Sequence, residues 1–316
     1  MIHVAFCVHD EGNYICHTAT TIASIFINTT SSVTVHIIHD NTLDVENKNR
    51  LDKLAEEYDQ KIKYYFVDNN FFVAVASKLK YAAFKKSFSV GTLFRLKIAD
   101  ILPIRKVIYL DSDIVVNMNI KFLWDIGLDT YLIAAVRDLK ETRNKWSNRW
   151  HFRNMGISDE YYFNAGVIVF NLDLIRKKID LWEESLDFLL KYSKDAIFFD
   201  QDVLNGLFQK KALFLPKKYN FIPVALTPGK YDDNLQAIIH FAGPKPWKFR
   251  CSQFDWLYWK YFSKTPWCKS ISQLLAKQRE VGIDLGYALY SGKIASRRMF
   301  IKGIGYIFAN IKSVFG

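Results

Sequence analysis

The stretch Lys106–Asn117, KVIYLDSDIVVN, sets four apolar strand formers, Val107 to Leu110, directly before Asp111-Ser112-Asp113, and apolar residues resume at Ile114 to Val116. In extended chain residues i and i+2 point the same way, so Asp111 and Asp113 can converge on one point in a crevice at the end of a buried strand. Two unpaired carboxylates buried there would be very costly. A hard divalent cation, itself attractive to phosphate, would remove that cost. The same triplet also suits a plain surface turn after a strand, because Asp and Ser favour turns and caps.

Upstream, the chain alternates strand and helix patterns. Ile2 to Val8 reads as a buried strand, followed by the polar loop His9 to Tyr14 and a helix from about Ile15 to Ile27. Val33 to His39 and Ile62 to Val67 are further strands by their β-branched and aromatic content, with a polar-faced helix over Leu43 to Tyr58 between them. Strands alternating with helices point to an α/β fold with a parallel sheet, in which ligands sit beyond the carboxyl ends of the strands. The loop at His9 to Tyr14 and the Asp111 pair should therefore face one crevice. Thr92 to Ile101 reads as a helix that ends before Pro103 and leads into the Asp111 strand.

Downstream, Leu132 to Val136 is a short strand ending at Arg137-Asp138, and Glu141 to Trp150 reads as a mobile surface loop, suited to covering a ligand or to plain solvation. The segment YYFNAGVIVFN, Tyr161 to Asn171, is a strand, and Leu172 to Tyr192 has helical spacing. Another helix opens at FFDQD, Phe198 to Asp202, with Val203, Leu204, Leu207 and Phe208 as its buried face. There Asp200 fits an N-cap, whereas nothing of that kind explains Gln201. Ala237 to Phe241 is a strand carrying His240, which on its own fits a satisfied core histidine. The turn Gly243-Pro244-Lys245-Pro246-Trp247 that follows is stiff enough to bring backbone and an ammonium close to a ligand. Phe254 to Gln278 is helical and aromatic in pattern. The tail, Ser296 to Gly316, puts Phe300, Ile304, Ile307, Phe308, Ile311 and Phe315 on one helical stripe, with Arg297, Arg298, Lys302 and Lys312 outside it.

Composition bounds the rest. With 316 residues, half of them hydrophobic, the chain can bury a large core and suits one large α/β domain with an appendage. Four cysteines, Cys7, Cys16, Cys251 and Cys268, show no C-x-x-C pair, which argues against a zinc site or a disulfide framework. The N-terminus begins with a strand instead of a signal peptide, and no run reaches the ~18 apolar residues of a membrane span, so a cytoplasmic protein is expected. The 43 basic against 32 acidic residues, net +11, call for an anionic partner, and from Lys293 onward there are five Lys or Arg and no acid.

Taken in order, YLDSDIVV, YYFNAGVIVFNL, FFDQDVLNGLF and IIHFAGPKPW resemble the motifs of the retaining glycosyltransferases of family 8, especially bacterial enzymes that add galactose or glucose to lipopolysaccharide or lipooligosaccharide. The resemblance spans about residues 2 to 260. It implies the GT-A fold, a Rossmann-like mixed sheet flanked by helices, over residues 1 to 250, and a small helical, basic C-terminal appendage over 251 to 316. It further implies a UDP-galactose or UDP-glucose donor, a glycan or glycolipid acceptor, and Mn2+, with Mg2+ as the alternative, held by Asp111, Asp113 and His240.

By the same resemblance Lys245 contacts the diphosphate, Asp10 and Asn13 lie at the uracil loop, and Arg95 faces the donor. Asp138 and Asn164 hold sugar hydroxyls, Asp200 and Gln201 lie beneath the anomeric carbon, and Ser112, Ala165 and Gly243 complete the donor-facing set. Two departures stand out: the loop after His9 is longer than the family's, and one residue instead of two separates Gly243 from Lys245. The tail resembles the part that attaches such enzymes to membranes, which implies peripheral binding to an anionic inner leaflet at its cytoplasmic face; the alternative is a helix packed on the domain's own aromatic patch. Two rival readings are a metal-dependent phosphatase or kinase, for which no P-loop is present, and a nucleic-acid binder, against which the aromatics lie in apolar strands and helices. No nucleic-acid partner is expected.

Overall fold

The computed structural model describes residues 1–68, 70, 91–138, 152–223, 235–248, 252 and 254–270. Strand β1 (Ile2–Val8) is followed by α1 (Ile15–Asn28), β2 (Val33–His39), α2 (Val45–Glu57) and β3 (Lys61–Phe66). After α3 (Gly91–Phe94), a 3₁₀ turn (Arg95–Lys97) and α4 (Ile98–Ile101) come β4 (Lys106–Leu110), β5 (Ile114–Asn117), α5 (Lys121–Trp124) and β6 (Ile133–Arg137). Then follow β7 (Phe163–Asn171), α6 (Leu172–Lys178), α7 (Leu181–Lys191), α8 (Asp200–Phe208), β8 (Ala212–Phe214), β9 (Ala237–His240) and α9 (Asp255–Phe262).

Seven strands form one sheet in the order β3-β2-β1-β4-β7-β6-β8. The first four of these run parallel, and β7 pairs antiparallel with both β4 and β6. The parallel half follows from the strand–helix alternation, and β7 makes the sheet mixed. Alternation along β1 sends Ile2, Val4, Phe6 and Val8 to a core shared with α1 and α2, while Ala5 faces the opposite core with α3, α4 and α8. Helices thus cover both faces, which is why β2 is buried at every position. A separate antiparallel pair, β5 with β9, lies against α1.

Three expectations change. Leu172 to Tyr192 is two helices, because Ile179 is extended and Asp180 restarts the helix by accepting from the Glu183 amide. The aromatic helix at Phe254 stops at Phe262, four residues before Pro266, whose ring would collide with the Phe262 carbonyl, and the part expected beyond residue 270 lies outside the described residues. Asp200 is not an N-cap: Phe199 holds that position at φ +42°, and Asp200 is the first helical residue. Helix α9 packs on α1 within the main core, with the Tyr261 hydroxyl donating to Asn117 and receiving from Asn28. Of the regions expected to matter, the loop at Glu141 to Trp150 and the tail from Ser296 lie outside the described residues. Among the described residues no helix is long and apolar enough to cross a membrane.

Candidate active site

Strand register builds the site. Antiparallel pairing of β4 with β7 sets Leu110 against Val167, and the Asp111 amide then donates to the Gly166 carbonyl at 2.9 Å. Pairing of β5 with β9 sets Ile114 against His240, with the Phe241 amide donating to the Asp113 carbonyl at 2.9 Å. Residues 127 to 129 positions apart in sequence thus meet because two strand ends do. Asp111, Asp113 and His240 each offer a ligand atom, all within 4.8 Å of one another. His240 Nε2 lies 3.3 Å from Asp113 Oδ1 and 3.9 Å from Asp111 Oδ2.

These spacings suit a cation. Ligand bonds of about 2.0–2.3 Å place neighbouring ligand atoms about 3 Å apart and opposed ones about 4.5 Å apart. An imidazole beside two carboxylates suits manganese better than magnesium. Space is left by Gly166, whose backbone passes so close that an added Cβ would lie 2.2 Å from His240 Cε1 and 2.9 Å from Asp111 Oδ2.

Charge around the cluster is closely matched. Lys245, carried on the turn that Gly243 makes at φ +120°, ion-pairs with Asp113 and donates to the Phe241 carbonyl at 3.0 Å. Burial alone would raise the Asp113 pKa, but the Lys245 ammonium and His240 hold its carboxyl well below the usual range. Arg95, buried in the 3₁₀ turn, donates to Asp111 Oδ1 at 2.9 Å and to the Ala165 carbonyl at 3.0 Å, and lies over the Tyr109 ring. Its Nε is 3.0 Å from Asp200 Oδ2, an ion pair off the hydrogen-bonding direction. Its guanidinium is thus spent on protein groups and ties Asp111 to Asp200. Burial pushes the Asp200 carboxyl up to about 6, against the pull of Arg95 and with help from Asp111.

Gln201 follows on α8. Its Oε1 accepts from the Ala165 amide at 2.9 Å, and its Nε2 donates to the Tyr162 hydroxyl at 3.2 Å and toward Asp138 Oδ2 at 3.5 Å. Tyr162 in turn donates to the buried Asp202 at 2.6 Å. Phe199, immediately before Asp200 and Gln201, is held in a backbone region where an aromatic residue is strained. Asn164 joins through Asn220, whose Nδ2 donates to Asn164 Oδ1 at 2.8 Å while its Oδ1 faces His240 Nδ1 at 3.0 Å.

The first loop lies beside this cluster because β1 and β4 are parallel neighbours. The Tyr14 phenol proton is held more firmly by burial and then by the fields of Asp113 and Asp111. Asp10 itself is engaged, accepting from the Ile15 amide at 2.8 Å and from Asn47 Nδ2 at 3.2 Å, and burial raises its pKa. Asn13 is exposed at φ +62°. Ser112 receives a hydrogen bond from Thr18 on α1 at 2.8 Å, which fixes the bend between the two aspartates. Trp247 packs the turn, stacking on His17 at 3.7 Å.

Sequence reasoning did not find Asn220, Tyr162, Asp202 or the role of Gly166. Asp202 carried one signal, an acid falling among the buried positions of α8.

Comparison with known proteins bears on the family and the fold. A lipopolysaccharide 1,3-galactosyltransferase of Salmonella typhimurium is 27% identical over 328 residues, covering 96% of this chain and 88% of its own length. A lipopolysaccharide 1,2-glucosyltransferase of Escherichia coli is 29% identical over 304 residues, covering 90% and 85%. The crystal structure of the galactosyltransferase LgtC with donor and acceptor sugar analogues superposes with a TM-score of 0.72 at 23% identity, over 87% of this chain and 100% of that one, which shows the shared fold. A model of glycosyl transferase family 8 matches residues 3–251, and the chain belongs to that family, as a glycosyltransferase of the GT-A fold.

Proposed function

We propose that the protein moves a hexose, galactose or glucose, from a UDP-sugar to a glycan acceptor of the lipopolysaccharide kind, with retention of configuration. The observation that carries this reading is the convergence of Asp111, Asp113 and His240 beside Lys245, over a glycine that leaves the space open. Asp111, Asp113 and His240 would hold Mn2+, which when bound supplies positive charge opposite the donor diphosphate.

The bond between the anomeric carbon and the diphosphate breaks with its electron pair leaving on the phosphate oxygen. Lys245 stabilises the negative charge where it develops. The acceptor hydroxyl bonds to the anomeric carbon on the same face, and its proton passes to the departing phosphate. The Gln201 carbonyl, with one lone pair on the Ala165 amide, keeps the other for the cationic sugar. Arg95 holds Asp200 in an ion pair, which weighs against Asp200 as a covalent nucleophile. An inverted glycosyl azide from Asp200→Ala, and none from Gln201→Ala, would reverse that choice.

The basic, aromatic tail is proposed to bind an anionic membrane surface at the cytoplasmic face. Incubation with a panel of UDP-sugars, with and without Mn2+, tests the central reading. UDP and free hexose should appear from UDP-galactose or UDP-glucose only with the metal; inorganic phosphate instead would indicate a phosphatase.

A further inference from the structure

His240 can bind a cation through Nε2 only if that nitrogen carries a lone pair, so the proton of the neutral ring must sit on Nδ1. The surroundings decide this, and the decision starts from a backbone group that has no choice. The Gly166 N–H can only donate, and it donates to Asn164 Oδ1 at 2.9 Å. That fixes Asn164 with its oxygen towards Asn220. The group of Asn220 that lies 2.8 Å from this oxygen must then be its amide nitrogen, and its carbonyl oxygen is left facing His240 Nδ1 at 3.0 Å. An acceptor at Nδ1 places the ring proton there, and Nε2 presents its lone pair between Asp111 and Asp113. All of the side chains in the relay are buried: Asn164 is 9% exposed, Asn220 4% and His240 3%.

We propose that Asn220 is a positioning residue that sets the tautomer and ring orientation of His240 for a divalent cation, and that it couples this cation site to Asn164. The proposal rests on the reading of Asp111, Asp113 and His240 as cation ligands. Partners of a ligating histidine's second nitrogen fix its orientation and raise its basicity, and their loss costs roughly 10- to 100-fold in metal affinity. The coupling has a chemical consequence at Asn164. Its oxygen already receives two donors, so its NH2 is the group left to meet a sugar hydroxyl, as a donor. Asn220 stands on a 3₁₀ turn, Lys217–Asn220, and the Phe221 amide that follows donates to the Ile238 carbonyl at 2.7 Å, so β9 carries both His240 and the anchor of its partner.

The test compares wild type, Asn220→Ala and Asn220→Asp by calorimetric titration with Mn2+ alone, with pulsed EPR of the bound Mn2+ to read coordination by an imidazole nitrogen, and with metal-free thermal melts to confirm folding. Asn220→Asp keeps an acceptor for Nδ1–H but sets a carboxylate oxygen against Asn164 Oδ1. It should therefore bind Mn2+ close to wild type and retain the nitrogen signal, although its buried carboxylate, set against Asn164 Oδ1, makes it the electrostatically more disruptive change. Asn220→Ala should bind Mn2+ roughly 10- to 100-fold more weakly and lose the nitrogen signal. Unchanged affinity in Asn220→Ala, or equal losses in both variants, would overturn the tautomer role. Failure of folded wild type to bind Mn2+ would overturn the cation reading itself, and the two failures are thereby told apart.

Discussion

Replacing Gly166 by alanine probes the site where its tolerance is smallest. The new Cβ would lie 2.2 Å from His240 Cε1, 2.8 Å from Nδ1 and 2.9 Å from Asp111 Oδ2. Ordinary carbon contacts begin near 3.5 Å, so the ring must retreat by about 1.3 Å. It is not free to do so cheaply, being buried and tied at Nδ1 to Asn220. Overpacking of this kind costs about 1–3 kcal/mol, and a displacement of about 1 Å in a catalytic group costs on the order of 100-fold in rate. A matched control exists on α8, where a Cβ on Gly206 would lie 2.1 Å from Phe188 Cε2, within the opposite core. Thermal melts, Mn2+ titration and Mn2+-dependent UDP release should be measured on both variants. Both should melt earlier, but only Gly166→Ala should lose Mn2+ affinity and UDP release. A Gly166→Ala variant with wild-type melting and wild-type Mn2+ affinity would refute the close approach of β7 to His240.

Other consequences follow from the charges. Lys245→Met removes the ammonium that competes for Asp113, so Mn2+ alone should bind no more weakly, while UDP release should fall about 100-fold; an unchanged rate would remove Lys245 from the diphosphate site. Asp200, with its pKa raised by burial to about 6 from the ordinary 3.8, makes the folded state bind more protons than the unfolded one between those values. Its contribution to stability is full below the lower value and is lost as pH rises through the upper one, so metal-free Asp200→Asn should gain on wild type by ~2.5 kcal/mol in urea unfolding between pH 4 and pH 7. A pH-independent gap would contradict the burial argument. Deleting residues after Gly292 should abolish sedimentation with anionic vesicles, each basic residue removed being worth ~1 kcal/mol near the surface; sedimentation equal to the full chain would end the membrane proposal.

The strands and first helices were legible because their apolar patterns are local: the period-two spacing of the large residues in Ile2 to Val8 and the apolar positions from Ile15 to Phe26 need no distant partner to be read. The meeting of Asp111, Asp113 and His240 was legible only through resemblance to a family, since nothing local to His240 distinguishes a ligand from a core histidine. The break at Ile179 has a local signal, Asp180 with Glu183 three residues later, an N-terminal capping pattern that the helical spacing on either side obscures. Asp200 shows the opposite case. A local cap was the economical reading, but a buried arginine 105 positions earlier takes its carboxylate, and tertiary charge outweighs the cap. Asn220 and Gly166 had no local signal at all. Their importance lies in distances to residues 20 and 74 positions away, set by strand register.

The most direct measurement is anomalous diffraction at the manganese edge from crystals grown with MnCl2 and UDP. A single strong peak should lie within bonding distance of one oxygen each of Asp111 and Asp113 and of His240 Nε2, with diphosphate density against it and Lys245 beside the diphosphate. Manganese bound elsewhere, or a UDP diphosphate seated away from these three side chains, would contradict the site.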